Sequence, residues 1–508
     1  MKEKIFKIAR LARERNIFAF AALLAVAIAI YYPVLNNALI GDDLDLSDVV
    51  SRVPFPQYWQ LFGSLTVFIK PLPLLVLWFQ FKLFGLTPFP AHFLNVLLHA
   101  GNAFLLFWLL LKLDIKRIYA FAAAMIFVTI PIAPEDVTWV VAGRFDLIAL
   151  FFMLLTLGLY LEYLKTRNLL TYIAAAAAFA AALLSKEVSM IMIALLPAAD
   201  FLLVQLTGKE AGTRESIITR VTAIFRRIAP FAVIFAGYIV LRLKIVGHLG
   251  GYPNVPLIGK PSLEAVKKTT ETLLSPLNSY VFGHRSIILM GSFFAFMYAI
   301  SLFLVATRWK KAGLQARRAW LLLVSFFILS LMPVFAAAFM IGLDHTLRES
   351  RYLYIPTMML TAFMVLGLLA FGFRHPVWKG FSVMLLVAAF GINAFALVQN
   401  NKPWERASEI SDYIPEATVS LVPDPPQDAH FFFQIPEWDG GSYIYVNGIS
   451  QAIKWKYGRE DLSVRYLSYR SRKDVDPSSY VFFYDLADGK LKIVDFADVD
   501  SIIGVYDH

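Results

Sequence analysis

The sequence predicts an all-α polytopic membrane bundle, with about 11 transmembrane helices plus interfacial helices, followed by a small α/β or β-rich domain. Three observations carry that prediction. Of 508 residues, 58% are hydrophobic and 17% charged, and the mean hydropathy is +0.63; water-soluble chains carry about 25% charge. Apolar runs approaching the roughly 20 residues of a bilayer-spanning helix recur between residues 17 and 398. Beyond Gln399 the composition becomes that of ordinary soluble protein. A cytosolic enzyme, a disordered regulator and a secreted disulfide scaffold are thereby excluded. The chain has no cysteine, so disulfides, Cys-ligated metals and thiol nucleophiles are excluded too. Its net charge of +10 is read through placement, because Lys and Arg collect in cytoplasmic loops; no nucleic-acid partner is expected.

The first span, about Ile17 to Leu35, follows Lys2, Lys4, Lys7, Arg10, Arg13 and Arg15 and leaves through Tyr31-Tyr32-Pro33. That aromatic exit marks an interfacial belt rather than a cleavage site, so a retained span with a cytoplasmic N-terminus is expected. Further spans are expected near 91–112, 118–133, 146–164, 169–184, 188–206, 229–246, 285–306, 318–341, 353–372 and 378–398. The segment 71–86 begins with two prolines, contains Gln80 and Lys82, and is too short to cross. If it does not span, the basic loops fall on the inside: 112–117, 165–168, 207–228 (with Lys209 and Arg214), 307–318 and 373–379 (with Arg374). If it spans, all of them move outside, against the positive-inside rule. An interfacial helix at 71–86 within a first outer loop 36–90 is therefore expected, with the C-terminus outside. The chain is read as an integral protein of the cell membrane.

Two domains follow, a membrane domain 1–399 and a soluble extracytoplasmic domain 400–508. In the second, His430–Ile435 and Ser442–Val446 read as strands. Tyr480–Tyr484, Asp488-Gly489 and Lys490–Val494 read as a hairpin, since Asp-Gly between alternating runs is a strong turn signal.

Charged clusters mark the loops expected outside. Gly41-Asp42-Asp43-Leu44-Asp45-Leu46-Ser47-Asp48 sets four carboxylates in seven residues. They can hold a divalent cation or supply a general base, or form a solvated loop with a helix N-cap at Asp45 or Ser47. Glu135-Asp136 and Gly143-Arg144-Phe145-Asp146 put ionisable groups at a span boundary, where they are costly and often functional, or else form an internal Arg–Asp pair. Ser185-Lys186-Glu187 is a charged turn between apolar spans, with a snorkelling lysine as the plainer account. In Asp344–Tyr352, Arg348 and Arg351 oppose the charge bias and suit a phosphate, unless Asp344 and Glu349 pair with them. Lys70 can reach a phosphate or anchor the interfacial helix. His92, Asn95, His99 and Asn102 share one helix face, and hydrogen bonding between helices is favoured over a metal site.

Taken in order, Gly41-Asp42-Asp43, Lys70-Pro71-Leu72, His92–His99, Pro134-Glu135 to Asp146, Leu184–Glu187 and Arg351–Tyr354 resemble the GT-C superfamily of integral-membrane glycosyltransferases. The match is most similar to protein O-mannosyltransferases and the TPR-containing transmembrane O-mannosyltransferases, over about residues 15 to 400. The chain departs in having Lys70 where relatives often have arginine, and in lacking a TPR array, which bears on acceptor choice. The resemblance implies a GT-C-like bundle and an inverting transferase. It would move a sugar from a polyprenyl-phosphate-linked donor to an acceptor hydroxyl of a protein, lipid or glycan at the outer face. It implies catalytic roles for Asp42, Asp43 and Asp146, with Asp42 favoured as base. It implies substrate contacts from Lys70, Glu135, Arg144, Lys186, Glu187, Arg348, Arg351 and Tyr352. A divalent cation such as Mg or Mn, held by Asp42 and Asp146, is the one cofactor considered. The competing readings are an outer-leaflet polysaccharide ligase or polymerase and, more remotely, a secondary transporter, although no inverted repeat is evident.

Overall fold

The structure, a computed structural model, describes residues 2–54, 57, 70–204, 217–249, 262–337, 342–372 and 375–506. Lys209, Arg214 and Arg374, used above to orient the bundle, lie outside them, as does most of 55–69.

Among the described residues, eight helices are long and apolar enough to cross a membrane. They start with Asn16–Val34 and Pro88–Lys112 and end with Ser350–Ala370 and Pro376–Leu421. The other three expected spans are the shorter helices Arg117–Val128, Leu169–Leu183 and Met192–Val204. Apolar residues remain exposed on the outlying helices, among them Phe225, Val233, Val387 and Phe395. That is the pattern of helices solvated by lipid, where backbone groups must pair within the segment. Pro71–Phe84 is a helix of 14 residues, about 21 Å long, against a hydrocarbon thickness of about 30 Å. It buries Leu74, Leu77, Gln80 and Phe81 at helical spacing and exposes Phe79, Leu83 and Phe84. The acidic segment forms a helix directly from Asp42 to Arg52 with Gly41 at its N-cap; neither Asp45 nor Ser47 caps it.

The polar stripe on Pro88–Lys112 is spent on packing. His92 Nε2 meets the Asn37 carbonyl at 2.9 Å, and Asn95 donates to the carbonyls of Val137 and Val140. His99 meets the Tyr354 hydroxyl at 2.7 Å and the Val128 carbonyl at 3.1 Å, and Asn102 donates to Leu147 at 3.1 Å. Each bond satisfies a group that would be costly to leave bare in an apolar bundle.

The C-terminal region is α/β. After the helix Lys402–Leu421, strands β1 (His430–Gln434), β2 (Trp438–Asp439) and β3 (Ser442–Tyr443) precede the helix Ile449–Tyr457. Strands β4 (Ser463–Tyr466), β5 (Tyr480–Asp485) and β6 (Lys490–Val494) complete it. The sheet order is β4-β1-β5-β6, with β1 parallel to β4 and β5 and β6 antiparallel to β5. The expected β5–β6 hairpin forms with Gly489 at φ +67°. The strand expected at Ser442–Val446 shrinks to the short β3, paired with β2.

The core of this region is not self-contained. Phe431, Phe433, Phe482 and Ile453 share a cluster with Leu44 and Val50 of the acidic helix and with Leu74, Leu77 and Phe81 of Pro71–Phe84. A sheet with so few strands covers little apolar surface, and the first loop completes it. The C-terminal region is thereby held against the residues that follow the first span.

Candidate active site

The site is assembled on the first turns of the helix Val140–Thr166. Val141 N, one of the amide groups a helix start leaves unpaired, donates to Asp43 Oδ1 at 2.7 Å. Ile40 N donates to Asp43 Oδ2 at 3.3 Å. Burial of Asp43 outweighs both bonds and pushes its carboxyl up to about 7. Asp43 is thus a clip joining the first loop to this helix. Asp42 is only half-buried, and its Oδ1 accepts from Asn447 Nδ2 at 2.7 Å. The acidic pair divides its work by orientation.

Five residues beyond Val141, about 7.5 Å along the helix, Asp146 forms a buried ion pair with Lys186. Lys186 Nζ also lies 5.2 Å from the centre of the Tyr352 ring. Leu72 N donates to the Leu184 carbonyl at 3.2 Å, which ties the start of Pro71–Phe84 to the 185–187 turn and brings Lys70 in. Lys70 Nζ sits 4.2 Å over the Phe145 ring. Burial brings Lys70 down to about 8, with Glu187 opposing and Lys186 adding to the fall. Glu187 is pushed up by burial, but Lys70 and Lys186 outweigh that and hold it below the ordinary glutamate value.

The third wall is Ser350–Tyr352. Glu135 Oε2 accepts from Ser350 Oγ at 3.1 Å and from Arg351 N at 3.0 Å, and burial pushes Glu135 up to about 7. Arg351 Nη2 donates to Glu349 Oε2 at 2.8 Å, while Nη1 lies 3.8 Å from Glu135 Oε1. Its guanidinium covers the Trp139 ring at 4.9 Å. Asp136 is wholly buried with no hydrogen-bond partner for either carboxylate oxygen. Burial, then Asp146 and Glu135, push it well above the usual range. A small cavity lined by Glu135, Asn278, Thr346, Ser350, Trp404 and Gly441 separates this wall from the C-terminal region.

Lys70, Glu135, Asp146, Lys186, Glu187, Arg351 and Tyr352 therefore form one interacting group, and Asp43 ties the segment that carries Asp42 to the helix that carries Asp146. Two other candidates are placed differently. Arg144 is buried and engaged all round: Nε donates to Asn95 Oδ1 at 2.9 Å, Nη2 to the Ala91 carbonyl at 2.8 Å, and Nη1 to Gln80. With each nitrogen committed to the protein, it fastens three helices together rather than meeting a ligand. Arg348 bonds the Gly342 carbonyl at 3.3 Å, lies 3.8 Å from Asp344 and stacks 4.5 Å over Trp438. That is the internal pairing weighed against a phosphate contact.

No group of three or more His, Asp or Glu side chains is arranged for a metal among the described residues. Asp146 is neutralised by Lys186, and Asp42 is engaged by Asn447. A cation between them would face the lysine charge, so the donor set does not fit one.

Sequence reasoning missed Tyr443 and Asn447, which carry no local signal because they lie in another region of the chain. It also missed Gly143, where a Cβ would overlap the Asp136 backbone carbonyl. That glycine lets Pro134–Val137 pack on the helix start, and it stood inside the Gly143–Asp146 motif.

Residues 70–234 match the family model described as dolichyl-phosphate-mannose-protein mannosyltransferase. No curated protein matches the chain. Among solved structures, the archaeal oligosaccharyltransferase AglB from Archaeoglobus fulgidus, in complex with an inhibitory peptide and a dolichol-phosphate, is similar at TM-score 0.51 and 12% identity. The match covers 95% of this chain and 74% of that one. ArnT from Cupriavidus metallidurans bound to undecaprenyl phosphate aligns at TM-score 0.47 and 13% identity, over 91% of this chain and 92% of that one. The chain thus shares the fold of the AglB structure, and its residues 70–234 are similar to the dolichyl-phosphate-mannose-protein mannosyltransferase family.

Proposed function

We propose that this chain transfers a sugar from a polyprenyl-phosphate-linked donor to an acceptor hydroxyl at the outer face of the membrane, with inversion at the anomeric carbon. The observation that best supports the reading is the buried gathering of Lys70, Lys186 and Arg351, from three distant segments, on the helix that Asp43 clips beside Asp42. The family model spans Lys70, Glu135, Asp146, Lys186 and Glu187.

The transfer forms a bond from the acceptor oxygen to the anomeric carbon as the bond to the lipid phosphate breaks. Asp42 takes the hydroxyl proton as general base. The phosphate leaves with the electron pair of the broken bond, and Lys70, Lys186 and Arg351 match its charge at a buried position. Lys70, lowered to about 8 by burial, becomes more firmly protonated when an anion arrives beside it. Asp146 holds Lys186 in place before that, and Glu135 orients Arg351 and the acceptor. No step is routed through a metal.

The test is consumption of a small panel of polyprenyl-phosphate sugars by the purified protein, with and without chelator. Asp42→Asn is expected to lower kcat by about 10²–10⁴-fold while the donor still binds. A polysaccharide ligase relying on arginine and histidine would keep its activity in the Asp42→Asn, Asp43→Asn double variant. A folded wild-type protein that consumes none of the panel defeats the reading. Because the chain has no cysteine, single cysteines placed beside residues 42, 146, 186 and 350 can be labelled from either side. Labelling of any one of them from the cytosol defeats the assigned face.

A further inference from the structure

The segment Trp438–Gly448 touches both sides of the site at once. At its first end, the Gly440-Gly441 turn between β2 and β3 is seated against the 344–347 loop. Asn278 Nδ2 donates to the carbonyls of Gly440 at 2.7 Å and Thr346 at 2.8 Å. Both glycines have positive φ, +56° and +87°, and a Cβ at Gly441 would overlap Thr346. The turn chemistry is what this close approach requires.

From this seat Tyr443 reaches the arginine wall. Its hydroxyl donates to Glu349 Oε1 at 2.6 Å, and the other oxygen of Glu349 takes Arg351 Nη2. The Tyr443 ring lies 4.5 Å from Trp139, the same ring that Arg351 covers. Arg351 is thus fixed at Nη2 and on its face, while Nη1 lies 3.8 Å from Glu135 Oε1. At the other end, Gly41 N donates to the Ile444 carbonyl at 2.9 Å, and Asn447 holds Asp42 Oδ1. Asn447 thus fixes one carboxylate oxygen of Asp42.

We infer that Tyr443 and Asn447 of the C-terminal region are positioning residues that set the spacing between Asp42 and Arg351 across the site. The inference rests on the proposed transfer. Residues about 90 and 400 positions away in the chain are brought to one short segment, whose length sets the distance between proton acceptor and cation. The C-terminal region is then part of the catalytic machinery rather than an appended module. Neither residue touches the reacting atoms, and each acts through the one it holds.

Tyr443→Phe removes a single hydroxyl and keeps the ring against Trp139. With full-length protein and a polyprenyl-phosphate sugar it consumes, this variant should raise the donor KM about tenfold and leave kcat within about twofold. Asn447→Ala should do the opposite, lowering kcat about tenfold at unchanged donor KM, and Asn447→Gln, which keeps an amide donor, should recover part of the loss. An independent readout uses the sugar-free polyprenyl phosphate. Its stabilisation of the fold against heat should shrink in Tyr443→Phe and persist in Asn447→Ala. If both variants keep wild-type kcat and KM while Asp42→Asn is inactive, the inference is wrong and the transfer reading stands. If each variant lowers kcat and raises KM together along with a loss of thermal stability, the segment is only a structural latch. If Asp42→Asn is as active as wild type, the transfer reading itself fails.

Discussion

The helix Val140–Thr166 carries a charged cluster near each end, and the two are built on opposite terms. Near its start, Asp146 meets Lys186 among Lys70, Glu187, Glu135, Asp136 and Arg351. Fourteen residues on, about 21 Å away, Tyr160 donates to Asp200 Oδ2 at 2.6 Å. Arg227 binds both oxygens of that carboxylate, at 2.7 and 2.9 Å. In the second cluster the bidentate arginine and the tyrosine leave Asp200 fully satisfied, and three helices are locked together. In the first, Glu135 Oε1, Glu187 Oε2 and both oxygens of Asp136 are buried without a hydrogen-bond partner. A half-satisfied buried network is costly, and the first cluster bears a cost that the second does not. Completeness of hydrogen bonding, rather than charge, separates the lock from the site.

The largest expected effect comes from breaking the first cluster. Lys186→Met removes a cation from the departing phosphate and strands Asp146. A loss of about a thousandfold in kcat/KM is expected, of the size seen when one preorganised charge-stabilising donor is removed. Equal kcat/KM in the variant would place Lys186 with the structural cluster. Breaking the second cluster should cost stability instead. Asp200→Asn deprives Arg227 of its partner, and a loss of about 3 kcal/mol is expected, as for other broken buried pairs. Its readout is a lowered melting temperature in detergent with kcat/KM unchanged for the folded fraction. A loss of activity without a loss of stability would erase the distinction.

The smallest effect is a pH slope. Glu135 and Asp43 are both raised to about 7 in the folded protein, from ordinary values of 4.5 and 3.8. Their contribution is therefore fully present below those ordinary values and is lost as pH rises through about 7. Lys70, lowered from 10.5 to about 8, acts in the opposite sense, contributing stability above its ordinary value that is lost as pH falls through about 8. Melting temperature should decline from pH 5 to about 7.5, and Glu135→Gln should flatten part of that slope. An unchanged slope would mean that Glu135 stays ionised in the fold.

Much of this was legible in the sequence, for identifiable reasons. A spanning segment must satisfy its backbone internally and face lipid with apolar side chains, so each helix of the bundle has a local compositional signature. The β5–β6 hairpin was equally local, set by Asp488-Gly489 between alternating runs. The charged strings were visible because ionisable residues beside apolar spans stand out, and most of them do converge. What each member does was not visible. Arg144 and Lys186 look alike as boundary cations, yet Gln80, Asn95 and Ala91 absorb the first.

The sequence alone therefore determined the membrane bundle, the short helix after Lys70, the α/β C-terminal region and the roster of charged candidates. These follow from composition and period, which act over a few neighbouring residues. Tertiary structure decided that Asp43 is a buried clip while Asp42 stays accessible, and that Arg144 fastens helices. It also decided that the core beneath the sheet is shared with the first loop, and that Tyr443 and Asn447 reach the site. Those outcomes depend on hydrogen bonds and packing between segments up to about 400 residues apart, and no local pattern encodes a partner that distant.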